Sequence, residues 1–393
     1  MIATFPEQRE AKRQALLDAV ESLRDVFLAG ADEAEATGTL PQVTVDAIYE
    51  SGLFSFKSAR EFGGAEADAM IQLDVIEAAS RIEPSAGWCL MIGSGTLSGV
   101  SAFLSDEALD EIFVGGKAPK TAGVAAPSGE ATPVEGGYRV SGKWSFASGI
   151  RHSQWVAFAA MIPGNNSDAP QLVRIVMPTS QVQIHDNWHV VGLRGTGSCE
   201  FSVSGVFVPQ RFTWGGAEAL PYRGGPFFLL GRPGMQTTGH CGFALGVGRR
   251  ALDAVAELAK AKKRGYRGNE TLVADRGSFQ RFLGESDLRL RAAKALCLET
   301  IEEAWESVCQ GITPPPQLQV RMRASGTYST EEAADVVSQA FRFGGGTAMY
   351  SGHVLQKCLR DIHAAAQHQM VSDRAYENLG QFILGFPDAD PMG

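Results

Sequence analysis

Between residues 121 and 212 the hydrophobic pattern changes from the long helical runs on either side to short alternating or apolar runs bounded by turn signals. In YRVSGKWSFAS, Tyr138, Val140, Trp144 and Phe146 fall on one face, and Arg139, Ser141, Lys143 and Ser145 on the other. A period of two is the mark of a half-buried strand. The runs QWVAFAAMI, QLVRIVMP and CEFSVSGVFVP continue it, separated by the turn signals PSGE, EGG, PGNNSD and GLRGTGS. No helical segment lies between these runs, and parallel strands need long crossovers. The pattern therefore predicts a central, largely antiparallel β domain over residues 121–212.

The flanks read as helix. Residues 1–120 form an N-terminal helical domain. Its first charged, Ala/Leu-rich run, EQREAKRQALLDAVESLRDVFLAGADEAEATG, is closed by Gly38 and Pro41. DAMIQLDVIEAASRI follows the turn at Gly63 and Gly64. SAGWCLMIGSGTLSGVSAFL is nearly all apolar or small, which predicts a helix buried on several sides, with glycines where a flat group can come close. Residues 213–240, rich in Gly, Pro and aromatics, read as a packed connector. Residues 241–393 read as a C-terminal four-helix bundle. Its helices run from near Cys241, through the 280s to about Cys309, over roughly 320–341 and over roughly 353–370, with ITPPPQ as the break. The fold class expected is α+β.

Composition removes several function classes. With 35 Lys plus Arg against 44 Asp plus Glu, the net charge is −9, and no long basic tract offsets it, so no nucleic-acid partner is expected. No apolar run reaches the roughly 18 residues of a membrane span. The start, MIATFPEQREAKRQ, turns charged at once; with six scattered cysteines and no CxxC pair, this predicts a cytoplasmic protein with reduced thiols. GxGxxG after a strand, GxxxxGK[ST], GxSxG at a strand–helix elbow and HExxH do not occur. The pairs His185/His189 and His363/His368 lack convincing ligand spacing, so no metal is expected.

Four pieces remain. WSFASGIRHSQW, residues 144–155, puts Ser145, Ala147, Ser148 and Gly149 after an aromatic pair at a strand end. It reads as a plain strand and turn, or as hydroxyl and N–H donors for the edge of a flat heterocycle with Trp144 over it. His152 follows that turn. WHVVGLRGTGSCEF, residues 188–201, combines Gly192, Gly195 and Gly197 with the donors Arg194, Thr196 and Ser198. It is an ordinary connection between strands, or a loop that meets a phosphate or heterocycle. FRFGGGTAMY places Gly344, Gly345 and Gly346 beside Arg342, either a helix–helix turn or a close approach to a cofactor. In CLRDIHAAAQHQMVS, Arg360, His363 and Gln367 share a helix face and His368 lies on the next. These are surface histidines, or a base near neutral pH. The basic run Lys260, Lys262, Lys263, Arg264 and Arg267 reads as solvated charge suiting a helix C-terminus.

In order and spacing, EFGGAEAD, SAGWCLM, SGKWSFASGIRHSQW, WHVVGLRGTGSCEFSVSGVFVP and LRDIHAAAQH resemble the acyl-CoA dehydrogenase superfamily over roughly residues 10–385. They are most similar to its flavin-dependent monooxygenase branch, the oxygenase components of two-component aromatic hydroxylases. The resemblance implies a flavin ring between the β domain and the C-terminal bundle. Trp144, Phe146, Ala147 and Ser148 would lie along the ring, Arg194, Thr196 and Ser198 beside the flavin tail, and Arg342, Gly344 and Gly345 against the cofactor of a neighbouring subunit. A homotetramer, a separate NAD(P)H-dependent flavin reductase, reduced FMN or FAD, and O2 as co-substrate are implied with it.

One departure is informative. Many acyl-CoA dehydrogenases carry their glutamate base in a pattern like RDxxxxxxYEGT, which from Arg360 and Asp361 places His368 and Gln369 at the Tyr-Glu positions. Gln369 cannot take an α-proton. His368 matches a histidine of the oxygenase branch and is implied in proton transfer around a C4a-(hydro)peroxide, with Ser148 as a donor. Trp88, Met91, Ser94 and Gln369 are implied in the substrate pocket. The helix after Gly87-Trp88 has Ser94, Thr96 and Ser98 where several phenol hydroxylases carry a histidine; His152 or Ser94 is the available substitute. The resulting expectation is hydroxylation of an aromatic or heteroaromatic small molecule. The alternatives are an acyl-CoA dehydrogenase-like enzyme, an N- or S-oxygenase of a small metabolite, and a non-catalytic helical scaffold.

Overall fold

The computed structural model describes residues 5–164, 169–215, 219–265 and 268–392. In chain order the elements are α1 (Arg9–Ser22), α2 (Arg24–Thr37), α3 (Gln42–Glu50), α4 (Ala69–Ile82), α5 (Pro84–Phe103) and α6 (Asp106–Ile112). Strands follow: β1 (Thr121–Val134), β2 (Gly137–Ala147), β3 (Trp155–Ile162), β4 (Gln171–Pro178), β5 (Gln183–Ile184), β6 (Cys199–Pro209) and β7 (Thr213–Gly215). Then come α7 (Gly231–Ala261), the ribbon β8 (Lys263–Arg264) and β9 (Thr271–Leu272), α8 (Gly277–Cys309), α9 (Pro316–Gly344), α10 (Val354–Ala365) and α11 (Arg374–Leu384). The expected turn at 163–168 lies partly outside the described residues, as does Arg267 of the basic run.

Two compact units result. The first comprises Met1–Asp68, Trp88–His189 and Arg194–Phe228. Its sheet has seven strands in the order β5-β6-β2-β1-β3-β4-β7. All pairs are antiparallel except β1 with β3. The sheet is thus largely antiparallel as expected, and β2 explains its one parallel pair. β2 runs back antiparallel along one side of β1, and β3 returns along the other, so a strand serves as the crossover. Irregular register in β1 surrounds Pro127, which has no N–H to give the ladder.

In β2 the face expected to hold both Trp144 and Phe146 is broken. Register slips between the pairs Trp144–Phe201 and Ala147–Cys199, and Phe146 in that gap has φ 67°. The bulge turns Phe146 out to 70% exposure while Trp144 stays fully buried. At the N-terminus, one expected long helix is two, broken at Leu23. Gly38 closes α2 with φ 71°, as its position predicts.

The second unit comprises Ala69–Gly87, Val190–Leu193 and Leu229–Gly393. The four expected segments therefore redistribute: α4, assigned to residues 1–120, belongs with the bundle. The reason lies on α7, where a Cβ on Gly242 would stand 2.5 Å from Leu73 O and one on Gly246 2.5 Å from Glu77 O. Only hydrogen there lets the α4 backbone come so close. Lys294 of α8 adds bonds to Asp74 (2.7 Å) and Glu77 (2.6 Å). α7 begins ten residues before the expected start near Cys241, so most of the expected connector's C-terminal end is helix. α9 starts at the proline break as read. α10 stops at Ala365, short of the expected 370, which leaves Gln367 and His368 beyond it; α11 was not expected at all. Among the described residues no helix is long and apolar enough to cross a membrane.

Candidate functional site

In the first unit, the end of β2 and the start of β6 bring three hydroxyls together. Ser148 Oγ lies 2.7 Å from Ser198 Oγ, and Ser198 Oγ lies 2.7 Å from Thr196 Oγ1. The indole N–H of Trp88, on α5, donates to Ser148 Oγ at 3.0 Å. All four side chains are buried, with Thr196 at 0% exposure. Gly149 N–H donates to the Thr196 carbonyl at 2.9 Å and fastens the two loops together. A buried chain of hydroxyls is polarised along its length, and each member can turn its proton toward a polar ligand edge. Ser148, Thr196, Ser198 and Trp88 were each read separately from sequence; the structure brings them into one cluster.

Other expected members lie elsewhere in that unit. Trp144 is a core residue: its N–H donates to Ala159 O at 2.8 Å and its ring stacks on Phe201 at 5.2 Å. This corrects its expected place over a ring, since alternation gives the side of a strand and not the depth. Ala147 is fully buried opposite Cys199. The exposed Phe146 is the aromatic left at the strand end, edge-on to Trp188 at 6.2 Å. Arg194 binds Glu35 of α2 through both carbonyl (3.2 Å) and carboxylate (3.5 Å). Ser94 donates back to Leu90 O at 2.6 Å within α5 and is fully buried, while Met91 packs nearby at 5% exposure. His152 sits in the turn Ile150–His152, where burial, helped by Lys120, pushes its imidazole down to about 4. Its Nδ1 is buried with no hydrogen-bond partner among the described residues.

The second unit holds a pair of imidazoles. His368 and His240 have ring centroids 4.4 Å apart. His368 Nδ1 accepts the Met370 N–H at 3.2 Å, so the neutral ring carries its proton on Nε2. Burial, with help from Arg232, pushes His368 down to about 4, so it is neutral at physiological pH. His240, 5% exposed on α7, was missed because residues up to 240 read as connector; a lone His in the small-residue run TTGHCG was the signal. Arg323 was missed too: its guanidinium binds the carbonyls of Gln369 (3.0 Å), Pro391 (3.2 Å) and Met392 (2.7 Å). That holds the main chain of Gln369, whose residue is exposed. His363 is exposed and meets Ser338 Oγ at 3.1 Å.

Glycines of both loops pack closely against their neighbours. A Cβ on Gly192 would lie 2.0 Å from Arg360 O, and Leu193 N–H donates to the buried carboxylate of Asp361 at 2.6 Å. Residues 190–193 are thus seated on α10. Gly344 abuts Ala348 and Leu355, and Gly345, with φ 55°, abuts Arg264. Lys262 binds the Gly344 carbonyl and Thr347 Oγ1. The basic run therefore spends part of its charge on that turn. Arg342 is exposed. Among the described residues no group of three or more His, Cys, Asp or Glu is placed to hold a metal ion.

Comparison with known proteins agrees with this picture. The acyl-CoA dehydrogenase N-terminal domain matches residues 10–113, and the acyl-CoA dehydrogenase C-terminal domain matches residues 238–373. An indole-3-acetate monooxygenase of Pseudomonas putida is 32% identical over 377 residues, covering 95% of this chain and 93% of the relative. A pigment production hydroxylase of a Rhodococcus species is 28% identical, covering 97% and 99%. XiaF from Streptomyces sp., solved with FADH2 and glycerol, superposes with TM-score 0.84 at 26% identity, covering 97% of each chain. The 3-HSA hydroxylase of Rhodococcus sp. RHA1 has the same fold, with TM-score 0.86, 23% identity and coverage of 96% and 99%.

Proposed function

The chain belongs to the acyl-CoA dehydrogenase family and within it is a flavin-dependent monooxygenase, and from that premise we propose which of its residues act and on what class of substrate. The substrate is an aromatic or heteroaromatic small molecule, as the names of the indole-3-acetate monooxygenase and resorcinol hydroxylase relatives suggest. Bound reduced flavin supplies the electrons by which one atom of O2 enters the substrate and the other leaves as water. Relatives named as an oxygenase subunit or oxygenase component imply a separate flavin reductase, and we propose that an NAD(P)H-dependent one serves this chain, in the cytoplasm and in a homotetramer.

The donor set fits a flavin. Ser148, Ser198 and Thr196 offer buried hydroxyls for the polar edge of the ring, with Trp88 fixing Ser148 from behind. Phe146, thrown outward by its bulge, offers a face on which a flat ring can stack. Arg194, Arg342, Gly344 and Gly345 remain proposals for the cofactor's tail and for a neighbouring subunit's cofactor, and Met91, Ser94 and Gln369 for the substrate wall. His152 is proposed as an accessory group through its unfilled Nδ1.

His368 is proposed as the group that manages the substrate proton. Its Nε2–H donates to an oxygen on the substrate. With Nδ1 occupied by the Met370 N–H, and with burial and Arg232 opposing the imidazolium, the ring meets the substrate as a neutral donor that holds the proton at Nε2 against that oxygen. The observation that carries the reading is this neutral imidazole, followed by Gln369, where many thioester dehydrogenases carry their carboxylate base. The test supplies reduced FMN or FAD, O2 and an aromatic substrate to the parent and to His368→Asn and His368→Ala. We expect product yield to fall at least tenfold, with O2 consumption continuing uncoupled. Unchanged yield in both variants removes His368 from the mechanism.

A further inference from the structure

Lys57 follows the turn Leu53–Ser55 in the first unit and is only 3% exposed. Among the described residues its ammonium has no hydrogen-bond acceptor and no carboxylate partner, and the Phe56 ring lies 5.3 Å away. A buried cation without a counter-charge is costly and is ordinarily paired. Burial alone lowers this amine to about 7.

The space beside it is open. Lys57 Nζ lies 4.0 Å from where a Cβ on Gly95 would stand, and outside the adjoining backbone of α5 no other heavy atom comes within that distance. A Cβ on Gly99 would meet nothing within 4 Å. Gly95 and Gly99 are one turn apart on α5, and Trp88 lies on the same face, seven residues before Gly95. At about 1.5 Å per residue, Gly95 is roughly 10 Å along the helix from Trp88. Trp88 is the residue that holds Ser148. One helix face thus carries the hydroxyl cluster at one end and, about one aromatic ring and side chain further on, a hollow with a buried amine.

We propose that this hollow is an anion subsite of the substrate pocket, in which Lys57 receives a carboxylate carried on the aromatic substrate. The enzyme then acts on aromatic acids, and Lys57 selects them over neutral analogues. This rests on the monooxygenase reading above. A single amine against phenylalanine suits a monoanionic carboxylate better than a phosphate, which takes several donors. An arriving carboxylate restores the ammonium, so binding above pH 7 takes up a proton.

The experiment uses the enzyme loaded with reduced flavin under anaerobic conditions. Indole-3-acetate, 4-hydroxyphenylacetate and benzoate are titrated calorimetrically, each against its amide. The parent protein binds at least one acid ten or more times tighter than its amide at pH 6.5, and the preference shrinks toward pH 9. Lys57→Met and Lys57→Gln lose that preference, and Lys57→Met, which buries no charge, melts no lower than the parent. A preference that survives in both variants overturns the assignment, as does a parent that binds neither form or favours the amides. Oxygen uptake by the same preparation without substrate is read separately. If it fails while the acid preference holds, the reaction class falls and the subsite stands.

Discussion

His368 and His152 both titrate near 4 in the folded chain, against an ordinary 6.5, with burial the main cause in each. The unfolded chain takes these protons at about 6.5 and the folded one only near 4. Between those values the unfolded state binds more protons, so stability is complete above pH 6.5 and is lost as pH falls toward 4. Lys57, lowered from 10.5 to about 7, works at the other end. Its unfolded form stays protonated between 7 and 10.5 while the folded amine is neutral, so it makes stability rise with pH across that window. Melting temperatures measured from pH 4 to 10 should fall on the acid side, and the fall should be shallower in His368→Asn. On the alkaline side, Lys57→Met should flatten the rise. Identical acid slopes in parent and His368→Asn would show that the imidazole is not held neutral by the fold.

At the scale of elements, short contacts at glycine decide what docks where. The segment 188–201 read from sequence as an ordinary connection between strands or as a loop able to meet a phosphate or heterocycle, on its glycines and the donors Arg194, Thr196 and Ser198. What could not be seen was the partner: Arg360 and Asp361 lie some 170 residues on, and the loop's first glycine is spent on their backbone. Replacing Gly192 with Ala puts a methyl 2.0 Å from Arg360 O, against backbone that cannot rotate away. The segment must lift, and the Leu193 N–H bond to the buried Asp361 carboxylate is lost with it. We expect a destabilisation of about 2–4 kcal/mol, in the range of overpacking plus one lost charge-assisted hydrogen bond. Urea denaturation measures it, and a change within about 0.5 kcal/mol would mean the loop is not seated on α10. The same logic explains α4: its apolar period was legible, but its allegiance was set by Gly242 and Gly246 far along the chain.

For the whole molecule, what sequence disclosed was periodic and local. The sheet, the proline break before α9 and the Gly38 stop follow from patterns a few residues long, and the hydroxyls of Ser148, Thr196 and Ser198 were visible there as candidates. The parallel β1–β3 pair, the outward flip of Phe146 and the His240–His368 contact depend on neighbours distant in the chain, and local patterns carry no such information. Function was legible for a related reason. Gln369 is a single-residue departure whose chemistry can be read without coordinates, since an amide is no base. That departure makes a demand on the complete enzyme. A thioester dehydrogenase draws its electrons from substrate and so needs oxidised flavin first; a monooxygenase served by a reductase needs reduced flavin and then O2. The intact protein should therefore bind reduced FMN or FAD more tightly than the oxidised form. Acyl-CoA thioesters of any chain length should not bleach oxidised flavin on it, and oxygen uptake should depend on added reductase and NAD(P)H. Anaerobic titration of both flavins in both redox states, followed by thioester addition, decides the matter. Bleaching by a thioester would return the chemistry to dehydrogenation while leaving the fold untouched.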